Sequence, residues 1–180
     1  MIGSEGEAEA LHRKYGSDER IVSHCRTVTK VALALAEEFR RHGYEIDDKA
    51  VGVAAMLHDV GRSRVQTVRH GVEGAVIEER EGAGKKVAEI IQKHVGAGIS
   101  PEEAKSLELP DLDYIPRTLE ERIVCFADKM VDGDKIRPFE EEVRRFTVKK
   151  HDVRRLLGLR ERLREELGED PEKVVFDNVK

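Results

Sequence analysis

Apolar residues recur at helical spacing along most of the chain. The first long example follows Ser17, a residue type that often caps helices, and ends at Gly43. Its apolar positions lie three or four residues apart, which places them on one helix face: Ile21, Cys25, Val28, Ala32, Leu35 and Phe39. His24 fits the same spacing. The pattern therefore predicts a long amphipathic helix with His24 on its core-facing side.

Shorter segments of the same kind follow. Asp47 is placed to cap a helix that ends at Gly61, and two Ser/Thr-x-x-Glu capping boxes, beginning at Ser100 and Thr118, predict the starts of two more. The helix after Ser100 should end before residue 110, and the one after Thr118 should cover 119–131. Other helices are predicted over 71–80, 84–94, 139–148 and 152–167. Because strand-like alternation is absent, the sequence predicts an all-α fold, a single-domain helical bundle over residues 1–180.

The composition favours a soluble protein rich in surface charge. Charged residues make up 38% of the 180 residues, aromatic residues 4%, and Trp is absent. Such a composition suits a heat-adapted protein stabilised by surface ion pairs. No stretch reaches the roughly 18 consecutive apolar residues of a membrane span, and the first residues lack the pattern of a signal peptide. We therefore expect a soluble, cytoplasmic protein without a membrane partner.

The residues around His58 carry the clearest chemical pattern. His58 and Asp59 are adjacent at the end of an apolar helical segment, and neighbouring helix residues point about 100° apart. Such a pair is better placed to bind one object from two directions than to hydrogen bond internally. Imidazole together with carboxylate suits Fe, Mn, Zn or Ni better than Mg or Ca. Because His24 upstream and Asp128 downstream also lie in helix-like apolar segments, we interpret all four as metal ligands.

Purely structural roles are the alternatives for these four residues. His24 could be a histidine satisfied within a helical core, and His58 with Asp59 could simply end a helix. Asp128 could be a buried carboxylate paired with Lys129 or an arginine. The presence of the whole set in one chain favours the metal interpretation.

Several other residues are interpreted as structural. Cys25 and Cys125 are expected to be small buried helix residues, since a disulfide is unexpected in a reducing cytoplasm. His12 and His42 lie among charged residues and are expected at the surface. Residues 151–152 repeat the His-Asp dipeptide, but the aspartate there is explained as a helix cap, and residues 132–134 are explained as a helix-ending turn.

The ordered set His24, His58-Asp59 and Asp128 resembles the HD-domain superfamily of metal-dependent phosphohydrolases, whose motif is His…His-Asp…Asp. Residues 58–61 read His-Asp-Val-Gly, which differs by one methylene from the His-Asp-Ile-Gly motif of one subfamily. The resemblance spans about residues 17–135, the expected metal-binding core, and leaves residues 139–180 as a C-terminal helical extension. It implies a helical HD-type fold and bound metal.

Two further histidines fit the resemblance. In HD subfamilies with two metals, two more histidines lie between the His-Asp pair and the last Asp. His70, in the segment His-Gly-Val-Glu-Gly-Ala, and His94 are similar to those residues. The resemblance therefore implies six metal ligands and a second ion. A substrate-binding or solvent-facing role for His70 is the alternative.

The activity implied is hydrolysis of a nucleotide, dinucleotide or related phosphate ester by a metal-activated water. The cofactor would be one or two divalent ions of Mn, Fe, Ni, Co or Zn, with Mg as a further candidate. Asp59 would orient the attacking oxygen and Arg62 would act beside it as a second catalytic residue. The substrate-binding candidates are Arg62, Arg64, Lys93, Lys129 and Asp132.

Two other functions remain open from the sequence. Six ligands of this kind would also permit a di-iron oxygenase, since some HD-fold proteins activate oxygen. A basic segment, residues 144–164, carries nine Arg and Lys against two acidic residues, a net charge of +7 in a chain of net charge −5. It could make the protein a metal-stabilised module that binds nucleic acid or a protein, although a solvated helix face paired with acidic neighbours is the simpler explanation. Homo-oligomerisation also remains open.

Overall fold

A computed structural model describes residues 2–179 of the chain, and the described part is almost entirely helical. The helices are α1 (Glu5–Lys14), α2 (Glu19–Arg41), α3 (Asp48–Leu57), α4 (His70–Glu81), α5 (Lys85–Lys93), α6 (Pro101–Ser106), α7 (Leu119–Lys129), α8 (Phe139–Val148), α9 (Val153–Leu167) and α10 (Pro171–Asn178). A short 3-10 helix, Val60–Ser63, follows α3. Strands β1 (Val131–Asp132) and β2 (Lys135–Ile136) form a small antiparallel hairpin. The predicted all-α fold is confirmed.

Helix starts agree with the caps that the sequence supplies. Asp47 accepts a hydrogen bond from an amide of α3, and both predicted capping boxes, at Ser100 and Thr118, are formed. One prediction is wrong by a residue, because α2 is capped by the side chain of Asp18 rather than by Ser17. Asp152 caps α9 as expected.

Helices α1 and α10, the 3-10 helix and the β1–β2 hairpin were not predicted. Helix α1 was not predicted because it buries few apolar residues. Helix α10 was not predicted because it is short, although Asp170 and Pro171 are residues typical of a helix start. The 3-10 helix contains Gly61, the residue at which the helix capped by Asp47 was expected to end, whereas α3 ends at Leu57. Residues 132–134, interpreted as a helix-ending turn, belong to the β1–β2 hairpin: Asp132 ends β1, and Gly133, with a φ of 61°, lies in the turn.

The core surrounds α2, the longest helix. Its apolar face packs against α3 and α7, and α10 covers another part of it. The core also contains Phe139 of α8, Leu156 and Leu163 of α9, and Val175 of α10, all fully buried. Each such side chain contributes about 1.5–3 kcal/mol on burial. The C-terminal extension therefore shares its apolar core with the segment that carries the predicted ligands.

No helix among residues 2–179 combines the length and apolar character that crossing a bilayer would demand.

The 3-10 helix and α4 approach each other closely at Gly61. A Cβ atom on Gly61 would lie 2.6 Å from the amide nitrogen of Gly74 and closer still to the carbonyl oxygen of His70. Both neighbours are backbone atoms, which cannot rotate away. Glycine at this position thus allows the segment after Asp59 to lie against the start of α4.

We expect Gly61→Ala to lower the free energy of unfolding by about 1–3 kcal/mol, because the new methyl group overlaps backbone atoms. Gly158→Ala is the matched control. Gly158 lies inside α9 with open space at its Cβ position, so alanine there should stabilise the protein by about 0.5–1 kcal/mol. Urea unfolding of both variants measures the difference, and equal effects would show that the close approach is unimportant.

Candidate metal centre

The structure brings together all six residues proposed as metal ligands. His24 comes from α2, His58 and Asp59 from the end of α3, His70 from the start of α4, His94 from the end of α5, and Asp128 from α7. Helices α2, α3, α4, α5 and α7 thereby contribute to one point inside the bundle. His58, Asp59, His70 and His94 are buried, and the side chains of His24 and Asp128 are each 15% exposed.

Every one of the four imidazoles has its Nδ1 atom fixed by a backbone carbonyl. His58 Nδ1 lies 2.7 Å from the oxygen of Ala55, His70 Nδ1 lies 2.7 Å from that of Thr67, and His94 Nδ1 lies 2.6 Å from that of Ile91. His24 Nδ1 lies 2.9 Å from the oxygen of Gly133 in the hairpin turn. Carbonyl oxygens only accept, so each Nδ1 carries the proton and donates. Each Nε2 of a neutral ring therefore presents a lone pair to the cluster.

The Nε2 atoms and the carboxylate oxygens form two adjoining groups. In the first, Asp128 Oδ1 lies 3.0 Å from Nε2 of His24 and 3.5 Å from Nε2 of His58. In the second, Asp59 Oδ1 lies 3.1 Å from Nε2 of His70 and 3.5 Å from Nε2 of His94. Asp59 Oδ2 lies 3.9 Å from Nε2 of His58, so Asp59 reaches both groups.

Several atoms of the cluster lack the partners that burial requires. The Nε2 atoms of His70 and His94 lie only 3.0 Å apart, although both rings donate through Nδ1 and so both Nε2 atoms present lone pairs. His58 Nε2 and Asp59 Oδ1 are buried without a hydrogen-bond partner among residues 2–179. A buried polar atom left without a partner costs about 1–3 kcal/mol. A cation bound between these atoms would remove that cost, so the donor set fits bound metal.

Asp59, Asp128 and His94 have the protonation states that metal ligands need. Burial opposes protonation of His24 and His58, but the neighbouring carboxylates and Cys25 outweigh it and raise both pKa values, so metal binding would displace a proton from these two rings. Burial opposes ionisation of Asp59, but the neighbouring imidazoles, His58 above all and then His70 and His94, outweigh it and hold the pKa of Asp59 well below its usual value. Asp128 is buried too, yet Lys129 and the neighbouring imidazoles keep its pKa well below the usual range. Burial lowers the pKa of His94 to about 4. Ionised carboxylates and a neutral imidazole are the states that bind metal.

Two basic side chains hold the outer oxygens of the carboxylates. Arg62 Nε lies 2.7 Å from Oδ2 of Asp59, and Lys129 Nζ lies 2.5 Å from Oδ2 of Asp128. Each carboxylate thus has one oxygen toward the imidazoles and the other toward a cation of the chain. Both cations also border open space next to the cluster.

Two predicted substrate-binding residues lie elsewhere. Lys93 Nζ is 2.7 Å from Oε1 of Glu121, and the pair is largely buried. The guanidinium of Arg64 lies over the ring of Tyr15 at 5.4 Å and near Glu73. Neither Lys93 nor Arg64 lines the space next to the cluster, because acidic or aromatic partners from other helices hold them away. Asp132 does line that space, where it lies 3.2 Å from Arg145.

Two cavities adjoin the cluster. The first, which we call the outer cleft, has a volume of about 550 Å³ and opens over Ile21, His24, Asp59, Asp128, Asp132 and Gly133. The second, which we call the side chamber, has a volume of about 720 Å³ and is bordered by Val68, His70, Ile99, Leu107, Phe146 and His151. Five residues line both: Arg62, Gln66, Lys129, Glu142 and Arg145. The metal cluster is thus reachable from solvent on one side and continuous with a larger space on the other.

Sequence reasoning missed a buried histidine behind the cluster. His12, expected at the surface, is fully buried and its Nε2 lies 2.7 Å from the carbonyl oxygen of Met56. The expectation failed because α1, which carries His12, was not foreseen. His42 is exposed as expected, and Cys25 and Cys125 are both buried. His12 therefore supports the end of α3, two residues before His58.

Comparisons with known proteins agree with this geometry. The family model described as HD domain matches residues 21–131, a range that contains all six cluster residues. An uncharacterized protein of Methanocaldococcus jannaschii is 43% identical over 128 residues, which are 71% of this chain and 76% of that protein.

Two longer relatives carry a functional name. Proteins named tRNA (cytidine(56)-2'-O)-methyltransferase from Thermoplasma volcanium and Picrophilus torridus are 36% and 33% identical over 97% and 98% of this chain. The chain spans about half the length of each, 51%. No solved structure gave a significant match. With the family model covering more than half of its length and the His and Asp residues gathered at one point, this chain belongs to the HD domain family.

Proposed function

We propose that the protein is a metal-dependent phosphohydrolase that acts on a small phosphate ester. The observation that carries the proposal is the convergence of four Nε2 atoms and two carboxylates on a buried centre next to open space. Nitrogen and carboxylate donors together favour Mn, Fe, Co, Ni or Zn, with Mg as a weaker candidate. Two overlapping ligand groups that share Asp59 provide for two ions.

The side chains around the cluster have separable tasks. Bound divalent ions would lower the pKa of a coordinated water and polarise a phosphoryl oxygen. Asp59, which reaches both ligand groups, would hold the attacking oxygen in position. Arg62 fixes the outer oxygen of Asp59 and borders both cavities, so it can also contact a phosphoryl oxygen and stabilise developing negative charge. Lys129 would do the same from the side of Asp128.

The names of the two longer relatives do not change the proposal. Their names describe methyl transfer, and each of these proteins is about twice as long as the region that matches this chain. Moving a methyl group to a ribose hydroxyl breaks no phosphoryl bond, whereas a cluster of ligands for two cations suits phosphate ester hydrolysis.

The contacts of the basic segment 144–164 favour a structural role for much of its charge. Arg155 pairs with Glu103, Arg160 with Asp170, and Arg145 with Asp132. Arg154 and Arg164 also have acidic partners. Because surface ion pairs of this kind reduce the positive charge available to phosphates, we favour the phosphohydrolase over the nucleic-acid-binding module.

Hydrolysis of a panel of nucleotides and other phosphate esters, with Mn, Co, Ni or Fe supplied in turn, tests the proposal. We expect Asp59→Ala and Asp59→Asn to lower kcat by about a thousandfold or more. Asp111→Ala, at an exposed aspartate, is the control and should leave kcat unchanged. Full activity in a folded Asp59 variant would refute the assignment. Oxygen consumption by iron-loaded protein, with no phosphate released, would point to the di-iron oxygenase instead.

Metal content provides a test that does not depend on activity. We expect about two ions per chain in the wild-type protein and about one in His70→Ala, because only one of the two ligand groups loses a donor. His42→Ala, which changes an exposed histidine, should keep both ions. Removing the ions with a chelator should lower Tm, since bound metal stabilises the folded state. Elemental analysis measures the ion count, and an unchanged count in His70→Ala would contradict the second site.

Arg62 and Arg64 form a matched pair, because both lie just after the cluster but have different contacts. Arg62→Ala should lower kcat/KM by about a hundredfold, since it removes a cation from Asp59 and from both cavities. Arg64→Ala removes contacts with Tyr15 and Glu73, neither of which borders the two cavities, and we expect kcat/KM within about twofold of the wild type. Steady-state kinetics on the best substrate decides between them, and a larger loss in Arg64→Ala would overturn the placement.

A further inference from the structure

Part of the side chamber is built by residues beyond the family match. The match ends at residue 131, whereas Phe146, Lys149, His151, Asp152 and Arg155 all border the chamber. They come from the end of α8, the α8–α9 turn and the start of α9. The chamber also reaches His70 and Lys129 at the metal cluster. A molecule bound to the cluster could therefore extend into a space that the C-terminal extension helps to line.

The α8–α9 turn places an aromatic pair in that lining. Lys150 adopts a φ of 57°, a left-handed conformation that is uncommon for residues other than glycine. The chain turns back there, so that the amide of His151 donates to the carbonyl of Phe146 at 2.9 Å. The two rings lie 5.4 Å apart with their planes inclined at 65°. The turn thereby holds the exposed imidazole of His151 against Phe146 at the edge of the chamber.

Arg155 fastens this part of the lining to the rest of the protein. Its Nη1 atom donates to the carbonyl oxygen of Gly98 and to Oε2 of Glu103, both at 2.7 Å. These contacts join the start of α9 to the loop after α5 and to α6. The charge of Arg155 is balanced by Glu103, so its role is to hold the chamber closed on this side.

Apolar side chains line another part of the chamber. Val68 and Leu107 are large apolar residues left 39% and 45% exposed, and both border the chamber together with Ile99. Most charges nearby are paired within the chain, Arg145 with Glu142 among them. Lys149 and Glu102 are the chamber-lining charges without an ion pair in the part of the chain from 2 to 179. The space thus combines apolar and aromatic walls with a few free polar groups.

We propose that the side chamber binds the nucleoside part of a nucleoside monophosphate, with the base in contact with the Phe146–His151 pair and with the apolar side chains of Val68 and Leu107. The assignment of the phosphoryl group to the metal cluster rests on the proposed function. A volume of about 720 Å³ is within the range of small-molecule sites. A flat base gains from apolar and aromatic walls, whereas a sugar phosphate without a base would leave them in contact with water. The carboxylate of Glu102, which has no ion-pair partner among residues 2–179, can accept hydrogen bonds from a base amine or a ribose hydroxyl.

Variants on the two walls test the chamber with the metal-loaded protein. We expect His151→Ala and Leu107→Ser each to raise KM for nucleoside 5'-monophosphates about tenfold, as loss of one stacking or apolar contact predicts. Neither should change kcat/KM for ribose 5-phosphate, which lacks a base. Val148→Ser is the control, because Val148 is exposed on α8 but does not border the chamber, and it should change neither substrate. An equal loss with ribose 5-phosphate would show that the turn supports the whole site, and would overturn the proposal.

Equilibrium binding separates this proposal from the proposed function. Titration of the wild-type protein with adenosine, guanosine, cytidine and uridine, none of which carries phosphate, is followed by NMR of the His151 ring and the Leu107 methyl groups. We expect both signals to shift with at least one nucleoside, and we expect the Kd for that nucleoside to rise about tenfold in His151→Ala. This result would support the chamber even if no phosphate ester were hydrolysed. Absence of nucleoside binding, or unaltered binding in both wall variants, would overturn it.

Discussion

The burial of four imidazoles and two carboxylates at one point is the constraint on which the rest of the structure depends. Three of the four histidines use the same local device. His58, His70 and His94 each stand at a helix end and direct Nδ1 to the carbonyl oxygen three residues earlier. The device fixes both the ring orientation and the position of its proton, so that Nε2 faces inward before any ligand binds. Preorganised donors of this kind lose little freedom when a cation binds.

The imidazole of His24 is held in a different way, by a contact with the β1–β2 hairpin. His24 lies within α2 rather than at a helix end, and its Nδ1 bonds to Gly133 in the β1–β2 turn. The same turn is adjacent to Asp132, whose carboxylate borders the outer cleft. The hairpin is therefore both the anchor of one imidazole and part of the rim over it. The contact between Gly133 and His24 gives the hairpin, whose strands have two residues each, a role in holding the site.

The cations next to the cluster balance its charge in two different ways. Arg62 and Lys129 contact the carboxylates directly and border open space, so they can act on a bound anion as well as on the ligands. Lys93, in contrast, is neutralised by Glu121 away from both cavities. The division follows from the positions of acidic side chains on α7, because Asp128 faces the centre whereas Glu121 sits at the opposite end of that helix. The C-terminal extension adds a third type of contribution, since its helices share the core yet also close the side chamber.

The sequence by itself determined the helices, their main caps and the six residues of the cluster. Periodicity located α2 through α5 and α7 through α9, while Asp47, Ser100 and Thr118 marked helix starts, because capping bonds form within a few residues. The spacing of His24 and the resemblance carried by His58-Asp59 identified the rest of the set. Only the tertiary structure decided which other side chains face the cluster. His12 is buried because α1 packs on α3. Arg64 contacts Tyr15 and Lys93 pairs with Glu121, both remote in the sequence. His151 borders the side chamber because the chain turns at Lys150. Local patterns encode hydrogen bonds between near neighbours, whereas the direction of a long charged side chain depends on partners that are remote in the sequence.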